Sequence, residues 1–350
     1  MSKIIKLSDE LIKQIAAGEV VERPLNIIKE LLENSIDAGA TKIDVVIENG
    51  GIDYLSVQDN GHGMTKDELE LAFELHYTSK IPEGDIHNVN SLGFRGEALA
   101  SIAAVSRVEC SSNSPGGSGQ KIIIEAGKRE SLSQHRCPTG TYTEIRGLFF
   151  NIPARRKFLK KAATEKKRII ELFTHFVLLY PQIHFTLSER KEDFRQKKII
   201  ESPARENMLA SIYDVLGAET ANALVPLNSK IGDWTLQGYI SKPIITKKDR
   251  SLQYLCVNGR PVRHQELQTS IEKGYGSQLL RSQYPIILLD ITGPLDGVDF
   301  NIHPQKSEIR FKADDPLIVE IAPIVEKILQ EAAELNNLPD SKLENIKKNP

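Results

Sequence analysis

The stretch from Pro24 to Asp59 constrains the fold more than any other part of the chain. Proline is tolerated in a first helical turn, so Pro24 can open a helix, and "PLNIIKELLENSID" keeps apolar residues at helical spacing to Asp37. The next runs, "ATKIDVVIE" and "IDYLSVQD", are rich in β-branched residues, and the "NGG" between them signals a hairpin. Leu25, Ile28, Leu31, Leu32 and Ile36 share one arc of the helix and are expected to pack on the sheet. The opposite arc is in conflict with this picture. At ~100° per residue Glu30, Asn34 and Asp37 fall within roughly a 60° sector, with Asn26 beside them.

A solvated face is the plain explanation for such a stripe. Two features weigh against it: no lysine stands at i+4 to pair with these side chains, and the helix runs straight into "DAGAT" and a hairpin. A carboxylate one turn from a carboxamide suits water activation beside a metal, because glutamate accepts a proton and a neutral amide oxygen suits a hard cation.

Two further segments have the same flavour. "DNGHG" sets Asp59 at a strand end, with Gly61 and Gly63 permitting close approach of backbone. "LGFRGEALASIAA" brackets Phe94 and Arg95 with Gly93 and Gly96 before a helix, whose first amides can hold an anion. Each alone is a common turn. No G-x-x-x-x-G-K-[ST] occurs, so a P-loop is excluded.

Size and composition set the remaining limits. A chain of 350 residues has room for two cores, and 40% apolar with 26% charged residues is ordinary for a globular protein. The net charge of −2 means that any nucleic-acid surface must come from local clustering. Cys110, Cys137 and Cys256 are too few and too scattered for a disulfide framework or zinc site, and are expected to be buried thiols. The N-terminus lacks the apolar core of a signal peptide, and no apolar run nears the ~20 residues that span a bilayer, so the expected location is cytoplasmic, without membrane attachment.

Taken in order, "KELLENSIDAGA", "DNGHGM", "TSK", "GFRGEALASI" and "GTYTEI" resemble the nucleotide-binding motifs of the GHKL ATPases. "IAAGEVVERP", "NIPARRKFL", "VNGRPV" and "NIHPQKSEIRF" narrow the likeness to the MutL family of mismatch repair, from about Ile15 to Phe311. The resemblance implies ATP and Mg²⁺ as cofactors and a slow, Mg²⁺-dependent ATPase. It makes Glu30 the general base, Asn34 the protein ligand of Mg²⁺, and Asp59 the acceptor for the adenine amino group, helped by Thr141. Asp37, Gly61 and Gly63 complete that part of the site. Thr78, Ser79 and Lys80 begin an ATP lid of about residues 78–100, which Leu92, Gly93, Phe94, Arg95, Gly96, Glu97, Ala98 and Leu99 close over the phosphates. Lys306 in "HPQK" resembles a lysine that reaches the γ-phosphate from a second domain.

The fold so implied is α/β: a two-layer GHKL (Bergerat-type) sandwich over 1–205, with helices on one face of a mixed, mostly antiparallel sheet. A ribosomal-protein S5 domain 2-like α/β domain follows over 206–332, and 333–350 reads as the start of a flexible linker. "QIAAGEVVERP" is taken as an arm near the nucleotide or dimer interface. The implied partners are a second copy of the chain, joined on ATP binding, and DNA bound without sequence preference. A MutS-like mismatch-recognition protein and a downstream nuclease or helicase complete the set, at the bacterial nucleoid. The stretch 154–168 carries eight basic residues against one acid, which makes Arg155 and Arg156, with Arg260 and Arg263, the DNA candidates. No metal-dependent nicking motif of the kind some MutL proteins carry occurs, so no nuclease activity is expected of this region. The rival is another GHKL enzyme, such as a topoisomerase ATPase subunit.

Overall fold

A computed structural model describes residues 17–18, 20–80, 92, 96–191, 194–294, 297–299, 309–311 and 315–336. The chain divides into two compact units, Met1–Val215 and Leu216–Pro350.

In the first unit, helix α1 (Pro24–Asp37) opens as the sequence implies, and Asn26 Oδ1 turns back to accept from the Glu22 and Arg23 amides at 3.3 and 3.1 Å. Asn26 is thus a capping residue and no part of the polar stripe. Strands β1 (Lys42–Glu48) and β2 (Tyr54–Asp59) form the antiparallel hairpin, joined through a 3₁₀ turn at Asn49–Gly51. Short helices α2 (Lys66–Leu71) and α3 (Ala98–Ala104) follow, the first capped by Thr65, whose hydroxyl accepts from the Glu68 amide. Then come β3 (Arg107–Asn113), β4 (Gln120–Glu125), β5 (Lys128–Gln134), β6 (Gly140–Arg146), α4 (Pro153–Phe158), α5 (Ala162–Leu179), β7 (His184–Arg190) and β8 (Gln196–Ser202).

The eight strands form one sheet in the order β5-β4-β3-β6-β2-β1-β7-β8, antiparallel at every pair except β1–β7. Alternation sends Ile43, Val45, Ile47, Leu55, Val57, Phe185 and Leu187 into one core with Ile27, Ile28, Leu31 and Leu32 of α1 and Ile169, Phe173 and Phe176 of α5. Leu25 and Ile36, expected on the packed arc, are only half-buried, and Ile27 replaces them because the buried arc is turned toward its side.

Helix α6 (Met208–Asn222) runs through the division between the units and breaks at Gly217, whose φ of 81° and ψ of 164° are not helical. That break sits ten residues or so beyond the boundary expected at 205–206, inside a run whose apolar spacing looks continuous. The second unit has β9 (Leu224–Ile231), β10 (Trp234–Ser241), β11 (Thr246–Lys247), β12 (Gln253–Val257), β13 (Arg260–Val262), α7 (Gln265–Lys273), β14 (Tyr284–Pro285), β15 (Ile287–Thr292), β16 (Val298–Asp299), β17 (Arg310–Phe311) and α8 (Pro316–Asn336). Its main sheet runs β13-β12-β15-β10-β9, and Leu267 and Ile271 of α7 and Leu317, Ile321 and Val325 of α8 close its core. Helix α8 ends at Asn336, so residues 333–336, expected in the linker, are helical.

Among the described residues no helix is long and apolar enough to cross a membrane. Cys110 is wholly buried, and burial pushes its thiol up to about 12; Cys256 is buried as well. Cys137 is only half-buried, which departs from the expected set of buried thiols.

Candidate functional site

The end of α1 and the end of β2 are stitched together, and the stitching gathers the side chains singled out from the sequence. His62 donates its amide to the Ala38 carbonyl at 3.0 Å, just past the end of α1. Ser35, facing the sheet, donates its hydroxyl to Asp59 Oδ2 at 2.9 Å. Asp59 Oδ1 accepts from the Gly61 amide at 2.9 Å and from the Thr141 amide at 3.3 Å. Burial raises the Asp59 carboxyl above its ordinary 3.8, and the Gly61, Ser35 and Thr141 bonds and the nearby His62 pull it back. Ser112 sits behind Thr141: its hydroxyl is 2.9 Å from Thr141 Oγ1 and receives the Met64 amide at 2.9 Å. Ser35 and Ser112 carry no signal of their own in the sequence, since serines are common in both settings.

Gly61 and Gly63 are needed, but for packing within the protein. A Cβ on Gly61 would stand 2.8 Å from the Ala38 carbonyl oxygen, and one on Gly63, at φ +63°, would overlap the Asn113 carbonyl. The DNG loop therefore lies flat against α1 and β3, which fixes the direction of the Asp59 carboxylate.

At the other end, the stripe on α1 is half-buried at Glu30, Asn34 and Asp37. Its cationic partner, missing at i+4, arrives from far along the chain. Lys80 Nζ donates to Asn34 Oδ1 at 2.7 Å and to Asp37 Oδ2 at 2.5 Å. Asp37 Oδ1 accepts the Leu92 amide at 3.0 Å, so this carboxylate holds residues on both sides of 81–91. The base of the same segment is clasped by the His76 amide on the Gly96 carbonyl at 2.9 Å and by His76 facing Glu97 at 3.6 Å. Gly96 has φ +62°, and a Cβ there would be 2.5 Å from the Tyr77 carbonyl oxygen. Thr78 and Ser79 are exposed, with Thr78 Oγ1 accepting the Lys80 amide at 3.2 Å, and Ala98 and Leu99 form the first turn of α3. Gly93, Phe94, Arg95 and Lys306 lie outside the described residues.

The arrangement offers a hard-oxygen pair that already holds one cation, a carboxylate one turn before it, and a half-buried carboxylate with hydrogen-bonding capacity left. Among the described residues no cluster of three His, Cys, Asp or Glu side chains could hold a metal.

The basic candidates fare unevenly. Arg156 is paired with Asp53 at 3.0 Å. Arg155 lies against Gly18 and the Phe149 ring, with Nη1 buried and without a hydrogen-bond partner, so its guanidinium faces inward. Arg260 is half-buried on β13, while Arg263 is exposed.

Comparison with known proteins gives this geometry a family. Residues 23–142 match the family described as histidine kinase-, DNA gyrase B- and HSP90-like ATPase, and residues 212–330 match the DNA mismatch repair protein C-terminal domain. A DNA mismatch repair protein MutL of Lactobacillus acidophilus is 41% identical over 318 residues, covering 91% of this chain and 50% of the relative. One of Dictyoglomus turgidum is 40% identical over 334 residues, covering 95% of this chain and 57% of the relative. The chain thus spans about half the length of the curated relatives it matches. Among solved structures, the Aquifex aeolicus MutL ATPase domain complexed with ADP superposes with a TM-score of 0.61 at 27% identity, over 79% of this chain and 95% of that one. A topoisomerase IV ATP-binding domain of Francisella tularensis, at 17% identity and a TM-score of 0.53 over 97% of this chain and 96% of that one, shares the fold alone. The stitched α1–β2 site therefore falls within a matched ATPase domain, and the chain belongs to the MutL family of DNA mismatch repair proteins.

Proposed function

We propose that this chain binds ATP with Mg²⁺ along α1 and hydrolyses it slowly, as the nucleotide switch of a mismatch repair protein. The observation that carries this reading is the convergence of Asn34 Oδ1 and Asp37 Oδ2 on one cation, one turn beyond Glu30. An amide oxygen beside a carboxylate is a hard donor set that fits Mg²⁺. Asn34 would hold the ion, which when bound neutralises charge on the phosphate oxygens.

Glu30 orients the attacking water and takes its proton; phosphoryl transfer needs alignment and charge neutralisation more than covalent help. Asp59 accepts the adenine amino hydrogen. Its Oδ1 is already engaged twice, so Oδ2, with one bond from Ser35, is the oxygen with capacity to spare. The amides of Gly93 to Leu99 and the Lys306 ammonium serve the phosphates. Asp37, which ties Lys80 and Leu92 to α1, gives the lid its anchor.

In the whole protein the switch would join two copies when ATP is bound, hold DNA without sequence preference, and connect a mismatch-recognition protein to a downstream nuclease or helicase. Arg263, exposed, is the better placed of the four DNA candidates. Removing a positioned general base costs ~10²–10⁴ in rate, so Glu30→Ala is expected to bind ATP and barely hydrolyse it. Normal turnover by that variant, measured as phosphate release, would sink the assignment, and so would loss of nucleotide binding.

A further inference from the structure

Glu165, in the first turn of α5, has its side chain 1% exposed. A carboxylate removed from water is costly unless both oxygens are matched. Here Oε1 accepts the Lys160 amide at 3.1 Å and lies 3.7 Å from Arg23 Nη1 and 3.8 Å from Arg168 Nη1. Both separations exceed a charge-assisted hydrogen bond. Oε2 is buried with no hydrogen-bond partner. Replacing a buried ion pair by apolar or neutral groups is often neutral or stabilising, so a loosely matched carboxylate is a poor device for stability alone.

What Glu165 does is join pieces of chain. Arg23 directly precedes α1, Lys160 lies between α4 and α5, and Arg168 lies one turn on in α5. Around this joint there is no slack. A Cβ on Gly50 would stand 2.5 Å from the Ala162 carbonyl oxygen, and one on Gly51 would stand 2.9 Å from Pro24 Cβ and 3.3 Å from Ile169 Cδ1. Arg156 adds a tie from α4 to Asp53 in the same hairpin loop. The start of α1 is thus seated on the start of α5, and Glu30 follows Arg23 by about two turns, or ~10 Å, along one continuous helix.

We infer that Glu165 is a positioning residue for ATP hydrolysis, which through Arg23 sets the start of α1 and hence the alignment of Glu30 and Asn34. The inference rests on the ATPase reading above. Asp59 is held by Gly61 and Thr141 as well as by Ser35 of α1, so a shift that starts at the other end of α1 should cost alignment at the phosphates more than base binding.

The test compares the full chain with its Glu165→Gln, Arg23→Gln and doubly substituted variants in three readouts: kcat for ATP hydrolysis with Mg²⁺, Kd for ATP, and Tm. A misplacement of ~1 Å can cost on the order of 10²-fold in rate, so kcat should fall about 10-fold or more in each single variant. Kd should stay within about threefold; Tm should be unchanged or raised in Glu165→Gln, which removes the buried charge, and lowered in Arg23→Gln, which leaves that charge short of a partner. The double variant should be no slower than the slower single, because both act through one contact. Should Glu165→Gln not fold, Arg23→Gln, at a side chain 28% exposed, reports on the same joint. Unchanged kcat in the single variants would overturn the inference, as would kcat, affinity and Tm falling together, which marks a purely structural role. A wild-type chain without ATPase activity would overturn the ATPase reading and the inference with it; normal wild-type turnover with indifferent variants overturns the inference alone.

Discussion

At the Asp59 end of the site three donors from three elements, Ser35 of α1, Gly61 of the loop and Thr141 of β6, meet one half-buried carboxylate. At the Asn34 end two half-buried side chains of a single helix meet one ammonium, Lys80, brought in from 46 residues away. The first arrangement is a socket fixed from three separate elements, so moving the carboxylate breaks several hydrogen bonds at once. The second is held by charge, and another cation of suitable geometry can compete for it. In the proposed reading the first end would recognise the base and the second would respond to phosphates and metal.

The largest expected separation between the two ends comes from paired substitutions. Glu30→Ala should remove turnover by ~10²–10⁴ and spare binding. Asp59→Asn should do the reverse, lowering ATP affinity by about 10–100-fold, as expected for a lost hydrogen bond to a charged group worth ~1.5–3 kcal/mol, with calorimetric titration as the measure. If both variants lose both properties, the two ends are not separable.

Next is the acid limb of binding. The carboxylate is the accepting form of Asp59, and its folded value lies above 3.8. ATP affinity should therefore fall as pH drops into a window that opens above 3.8, approaching about tenfold per pH unit below the raised value. Folding stability from this group has the opposite sign. Protonation favours the folded chain, so this contribution is present at low pH and lost as pH rises through the folded value. Affinity that holds constant down to the ordinary aspartate range would refute the role of Asp59.

Gly63→Ala tests the seating of the loop that aims Asp59. With φ +63° and the Asn113 carbonyl in the way, a loss of ~1–3 kcal/mol in urea unfolding is expected, together with weaker base binding. The smallest effect is at Thr65→Ala, which removes the cap of α2 and should cost about 1 kcal/mol without altering turnover.

Much of this was legible in the chain. Helix α1, the hairpin after it, the Thr65 cap and the run from Glu165 to Tyr180 follow from periodicity and end signals. Strands β3 ("RVECSSN") and β5 ("KRESLSQ") were not, because polar residues on both faces hide the alternation. Strand β9 was obscured by Pro226, which an edge strand accommodates where a central one would not. In the site, Glu30, Asn34 and Asp37 could be read directly, whereas Ser35, Ser112 and Glu165 looked like any polar residues on a helix or strand.

The sequence by itself determined helix α1, the hairpin after it and the Glu30–Asn34–Asp37 stripe, because a helix turns local spacing into a shared face. Only the tertiary structure decided which groups meet that face and what surrounds Asp59. Lys80 reaches Asn34 across 46 residues and Thr141 reaches Asp59 across 82. Such contacts arise from how strands pair and helices seat on the sheet, and no repeat in the chain records them.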